Sequence, residues 1–178
     1  MEDLALAAAI AQKDEIAARV LFELYFDPLY RFLRQLTRHS DDAEDLAQQT
    51  LIRVIRFAHR YDGRGPLRAW IFGIGYREYG RWRRRRLFLP LPRDLFAKQD
   101  VAESAANATL LLDALDKLTP DHRAAFLLHH VEGMSIDEIA VVQNVPSGTV
   151  KSRLHVARSN LKGLLEQEEF YVTEPSRT

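Results

Sequence analysis

The 178 residues include no cysteine, which excludes disulfides and thiolate-held metal, and a 47% hydrophobic share is enough for a core. The acidic start Met1-Glu2-Asp3 is followed by no long apolar run. Neither a signal peptide nor a membrane span is expected, and the chain reads as a soluble cytoplasmic protein. The net charge of zero conceals segregation: residues 1–50 carry −5 and residues 51–86 carry +9, eleven of them arginines. Local sign governs docking onto a polyanion more than the total does.

β-type alternation is absent, and the predicted class is all-α. A first helix is predicted from about Ile16 to Arg38, with Val20, Leu21, Leu24, Leu29, Phe32, Leu33 and Leu36 apolar and Pro28 expected to kink or divide it. A second starts near Asp41 or Asp42. Its acidic first turn (Asp42, Glu44, Asp45) suits the positive end of the helix dipole, and helix capping accounts for part of the cluster. After the turn Tyr61-Asp62-Gly63-Arg64-Gly65, Pro66 opens a third helix running to about Arg86, with Leu67, Trp70, Ile71 and Ile74 inward.

Residues 88–107 are expected to be a linker. Leu89-Pro90-Leu91-Pro92 disfavours helix, and its apolar side chains pack on the chain's own domains or meet another surface. A second helical domain follows, with one helix carrying Leu111, Leu112, Leu115 and Leu118 and another from Pro120 to His130.

The segment from Glu132 to Arg158 reads as a helix-turn-helix. Ser135 and Glu138 form a capping box, and Ile136, Ile139 and Ala140 share an apolar face. Ser147 is the expected N-cap of the next helix, whose buried stripe is Val150, Leu154, Ala157 and Leu161. Thr149, Lys151, Ser152, Arg153 and His155 are left outward, a basic and hydroxyl-bearing face suited to a DNA major groove.

A second nucleic-acid surface is predicted in the third helix. Arg81, Arg83, Arg84, Arg85 and Arg86 repel one another unless phosphates lie between them, the alternative being a solvated helix end that the helix dipole favours. Single-strand binding needs flat faces beside such a groove, and Tyr76, Tyr79 and Trp82 are the candidates, with core packing the alternative for each. Trp70 shares a face with Leu67, Ile71 and Ile74 and is assigned to the core. The acidic cluster lacks metal-ligand spacing, and adjacent His129 and His130 point about 100° apart on a helix, so neither pattern predicts a metal. No catalytic constellation or cofactor motif stands out.

The order of these blocks resembles the extracytoplasmic-function (ECF) sigma factors of bacterial RNA polymerase over about Ala17 to Leu165. The stretch 42–50 (DAEDLAQQT) is similar to the family's core-polymerase-binding helix, and 67–74 (LRAWIFGI) to the start of its strand-opening helix. The stretches 132–140 (EGMSIDEIA) and 148–154 (GTVKSRL) are similar to its upstream-element reader. The resemblance implies a region-2-like domain over residues 1–87, the linker 88–107, a region-4-like domain over 108–170 and a tail 171–178. It implies core-polymerase contacts at Asp42, Glu44, Asp45, Gln48, Gln49 and Arg53. It implies downstream-element contacts at Tyr76, Arg77, Tyr79, Arg81, Trp82, Arg83, Arg84 and Arg85. Upstream-element contacts fall on Ser147, Thr149, Lys151, Ser152, Arg153, His155 and Arg158.

The chain departs from the family pattern in several places. Arg77 stands where Asn is usual, Arg81 where Asp is common, Gln49 for a usual Glu, and Gly75-Tyr76 for a small-plus-basic pair. Asn144 replaces the turn glycine, and Asn tolerates the left-handed conformation there. The implied partners are core RNA polymerase, promoter DNA and an anti-sigma protein, with no membrane contact. An autonomous helix-turn-helix regulator is the alternative. It leaves the arginine- and aromatic-rich helix idle. A helical adaptor without a DNA role is a third.

Overall fold

A helix that has no periodic face comes first. The computed structural model describes residues 2–88 and 113–173, and it begins with α1, Glu2–Ala11. Alanine-rich and apolar almost all round, this segment escapes periodicity arguments but has high intrinsic helix propensity. Ala7 and Ile10 are buried, and Asp3 accepts the backbone N–H of Leu67 at 2.8 Å. That bond satisfies one of the orphan donors at the start of the fourth helix.

Asp14 caps α2, Glu15–Thr37, by accepting the N–H groups of Ile16 and Ala17 at 2.8 and 3.1 Å. Of the expected kink or division at Pro28, the division does not occur: α2 runs through it. The carbonyl left without a donor is that of Leu24, an exposed residue whose backbone water can reach. Arg38, at φ 63°, ends the helix in a left-handed turn. Next comes α3, Ser40–Phe57, followed by a 3-10 turn at Ala58–Arg60. The acidic residues do not cap α3, because its N-cap is His39 and no side chain bonds across that end. Two helices on, α4 spans Leu67–Phe88, so Phe88 belongs to a helix rather than to the linker.

Leu21, Leu29, Phe32 and Leu33 of α2, Leu46, Leu51 and Val54 of α3, and Leu67, Ile71 and Phe72 of α4 build the first core. Phe32 and Phe72 meet at 5.5 Å between ring centroids. Gly75 lets α4 approach this layer closely, because a Cβ there would lie 3.2 Å from Leu29 Cδ2 and 3.5 Å from Thr50. Gly75→Val is therefore expected to cost about 1–3 kcal/mol by overpacking, read as a lowered urea midpoint.

The C-terminal unit holds α5 (Pro120–His130), α6 (Ile136–Gln143) and α7 (Ser147–Thr173). Leu115 and Leu118 are buried beside it; residues 171–173 of the predicted tail instead continue α7, and the linker from residue 89, Leu111, Leu112 and residues 174–178 lie outside the described residues. Both members of the capping box are present, with Ser135 N–H donating to Glu138 Oε2 at 2.8 Å and Glu138 N–H to Ser135 Oγ at 3.2 Å. Asn144 sits at φ 52°, as its residue type allows. Val150, Leu154, Ala157 and Leu161 are buried as predicted. The two units touch: α4 packs on α6, α2 packs on α5, and one buried cluster runs through both.

Candidate nucleic-acid interface

The 3.6-residue period divides the arginines of α4 into groups with different partners. Arg77, Arg81, Arg84 and Arg85 stand at i, i+4, i+7 and i+8, and all four are exposed. Arg86 turns the other way. Its NH2 lies 2.9 Å from Asp42 Oδ2, and its guanidinium sits 4.7 Å above the Trp82 ring. Arg83 is half-buried, with its Nε enclosed and unbonded. Arg77, Arg81, Arg83 and Arg84 line a cleft of about 370 Å³, whose far wall is Asp121 and residues 142–144.

The aromatics are less available than predicted. Tyr79 is only 5% exposed, stacked at 5.7 Å on Trp82, and burial pushes its hydroxyl pKa up. It is a core residue in this structure and not a base platform. Trp82 is half-buried between Tyr79 and Arg86, and its indole N–H donates to Asp42 Oδ1 at 3.1 Å. Tyr76 donates its hydroxyl to Asp121 Oδ1 at 2.6 Å; burial first, and then this bond, raises its pKa. What stays open to a strand here is the guanidinium stripe. Trp70 is half-buried against Tyr61, consistent with its predicted core role.

On α3 the predicted polymerase residues separate into two sets. Asp42 is held by Trp82 and Arg86, and Arg53 by Glu78, whose Oε1 lies 2.8 Å from Arg53 Nε. Glu78 also pairs with Arg81. Glu44, Asp45, Gln48 and Gln49 are exposed, forming a polar strip that ends on the exposed Ile52. Sequence reasoning missed Glu78 and Ile52. Ile52 continues the Glu44/Gln48 row at i+4 spacing, and Glu78 is an acid alone in a basic helix, so both left a faint signal.

In α7, Lys151, Ser152, His155 and Arg158 are exposed, and Thr149 is half-buried. Ser147 does not cap its own helix; it donates to Asp137 Oδ1 at 2.6 Å. Arg153 does not face outward as expected. Its NH2 lies 2.8 Å from Asp121 Oδ2, and its NH1 donates to Gln143 Oε1 at 2.8 Å. Nothing near Asp121 in the sequence pointed to this role, because its partners lie on distant elements. His129 Nδ1 meets the Met134 carbonyl at 2.9 Å, and the His130 ring packs on Phe126 at 4.4 Å, so both serve local structure.

Two family models match separate stretches of the chain. Residues 21–87 match the family model for Sigma-70 region 2, and residues 108–161 match that for Sigma-70, region 4. The ECF RNA polymerase sigma factor SigE of Mycolicibacterium smegmatis is 33% identical over 168 residues, covering 89% of this chain and 63% of that one. The RNA polymerase sigma factor CarQ of Myxococcus xanthus is 32% identical over 158 residues, covering 85% and 91%. Among solved structures, the sigma factor RpoE in complex with the anti-sigma factor NepR from Bartonella quintana superposes with a TM-score of 0.70 at 29% identity, covering 82% and 94%. CnrH in complex with the cytosolic domain of CnrY gives 0.71 at 27%, covering 93% and 97%.

Proposed function

The chain belongs to the ECF sigma factors of bacterial RNA polymerase, and we propose that three surfaces divide its work in promoter-directed transcription initiation. The α3 strip of Glu44, Asp45, Gln48 and Gln49 docks on core polymerase. The α4 stripe of Arg77, Arg81, Arg84 and Arg85 holds the opened downstream strand. The outer face of α7, with Lys151, Ser152, His155 and Arg158, enters the upstream duplex, and Arg153 joins it when released from Asp121. The domains are residues 1–88 and 108–170, with 89–107 as tether. The observation that carries this reading is the guanidinium stripe standing beside a capped helix-turn-helix in one chain, with a separate exposed acid-amide strip on α3.

Opening DNA on this basis uses binding, not catalysis: contacts to the displaced strand offset unstacking. Asp42, Arg53, Trp82 and Tyr79 set the geometry of the first two surfaces rather than touching partners. Among the described residues no helix is long and apolar enough to cross a membrane, and the polymerase partner assigns the protein to the cytoplasm. The neighbours RpoE and CnrH were solved with NepR and CnrY bound, and an inhibitory partner of that kind fits this chain.

Run-off transcription with purified core polymerase and a promoter library tests the proposal. Asp45→Arg is expected to weaken polymerase association roughly tenfold, in line with a charge reversed at a complementary rim. Arg153→Ala is expected to leave polymerase association unchanged and weaken upstream-element binding by about 1–3 kcal/mol. Equal losses confined to DNA from both substitutions would refute this division of labour.

A further inference from the structure

The turn of the helix-turn-helix begins at a buried amide that bonds to both neighbouring helices. Gln143, the last residue of α6, is 7% exposed. Its Nε2 donates to the backbone carbonyl of Asp121, in the first turn of α5, at 2.9 Å. Its Oε1 accepts from Arg153 NH1 of α7 at 2.8 Å. The two partners fix which way the amide points, with its amino group toward a carbonyl and its oxygen toward a guanidinium. A flipped amide would set donor against donor and acceptor against acceptor, so the side chain has one orientation.

Arg153 is thereby gripped by two unlike acceptors. Its NH2 lies 2.8 Å from Asp121 Oδ2, on a side chain that is 45% exposed, and an ion pair that water reaches is weak and exchangeable. The Gln143 amide is enclosed, and breaking its bond would strand a buried acceptor. When Arg153 gives up Asp121, the Gln143 bond therefore stays, and the guanidinium turns only about that anchor. A second link, from Ser147 Oγ to Asp137 Oδ1 at 2.6 Å, joins the same two helices but leaves Arg153 untouched.

We propose that Gln143 is a positioning residue of the duplex reader: it aims the Arg153 guanidinium and so sets selectivity for a guanine in the upstream element. The inference rests on the sigma reading above. With NH1 anchored, the Nε/NH2 edge is the pair of parallel donors left for a base, and guanine O6 and N7 are the acceptors that match such a pair. A misaimed guanidinium loses that bidentate fit while its charge still attracts phosphate, which carries no sequence information. Selectivity and overall affinity therefore come apart when the aim is lost.

Two replacements separate aim from mere support. Gln143→Met fills similar space and loses both bonds. Gln143→Glu also loses the donor to the Asp121 carbonyl but keeps an acceptor for Arg153. Each full-length variant, with core polymerase, is assayed on the best upstream element from the promoter library and on its single-base replacements, and transcript ratios give the discrimination at each position. Gln143→Met is expected to lower discrimination about tenfold at the guanine that Arg153→Ala also relaxes, as befits one bidentate base contact. Gln143→Glu should keep it, because its added negative charge lowers all elements alike and cancels in the ratio. In the Arg153→Ala background, Gln143→Met should change the ratio no further. Unchanged discrimination in Gln143→Met, an equal loss in Gln143→Glu, or additive losses in the double variant would each overturn the assignment. Gln143→Glu decides the matter alone where Gln143→Met is too unstable to assay. A parent chain that transcribes all upstream elements equally would instead sink the sigma reading, and the assignment with it.

Discussion

Replacing Arg84 and Arg85 together with alanine is expected to leave the chain folded and bound to polymerase while cutting promoter-directed transcripts by about 100-fold. Both side chains are exposed on the outer stripe of α4, and alanine is the better helix former, so the helix itself is not at risk. A charge-assisted hydrogen bond to phosphate contributes about 1.5–3 kcal/mol, and losing two at the low end, about 3 kcal/mol, is roughly 100-fold. Salt dependence is the sharper signature. Each phosphate released from a single strand changes the log–log slope by about 0.7, so the double variant should flatten it by about 1.4. Run-off assays across a potassium chloride series read both quantities, and an unchanged slope would place the strand elsewhere. Arg86→Ala should behave differently. That guanidinium is engaged with Asp42 and Trp82, so its removal loosens the α3–α4 packing and leaves the slope nearly intact.

The contrast between Arg84 and Arg86 shows where sequence reasoning stops. Periodicity located α2, α3 and the helix-turn-helix, because each buries one stripe and the stripe is written at 3.6-residue spacing; α4, buried all round over residues 71–75, was marked instead by the turn and Pro66 before it. Ser135 and Glu138 are three residues apart, so their reciprocal bonds were legible too. The Ala-rich α1 offered propensity without a stripe and was missed. The remaining differences share one cause: they are decided between elements far apart in the chain. Whether Asp42 caps its own helix or holds Trp82, 40 residues on, depends on how α3 lies against α4. Arg153 was placed on an outward face because the arc of α7 puts it there; Asp121, 32 residues earlier, claims it across the α5–α7 packing. Tyr79 looked equally suited to core and to base contact, and the neighbouring helices settled it as core. The autonomous-regulator alternative fails on the other half of the chain, since it gives no role to the segment that matches sigma region 2.

Phe72→Ala is expected to cost more stability than any surface change, about 3–5 kcal/mol, and to disable two of the three surfaces at once. Phe72 is wholly buried in α4 with its ring 5.5 Å from Phe32 of α2, so truncation removes a large apolar side chain, an aromatic pair and the packing of both neighbours. For a chain of this size each kcal/mol shifts the melting temperature by about 2–4 °C, giving a fall of roughly 10 °C. The functional consequence follows from what α4 anchors. Trp82 and Arg86 hold Asp42, and Glu78 holds Arg53, so a loosened α4 releases both ends of the polymerase helix as well as the arginine stripe. Polymerase association should therefore fall together with strand binding, unlike the Arg84/Arg85 variant, which loses only the strand. Glu78→Gln separates these effects. It keeps the side-chain shape and removes the charge that Arg53 and Arg81 share, so it should weaken polymerase association with a much smaller shift in melting temperature, because both arginines are more than a third exposed and regain water. Urea unfolding and polymerase pull-down on the two variants test the argument together. If Phe72→Ala melts like the parent chain, α4 is not the spine on which these surfaces are mounted.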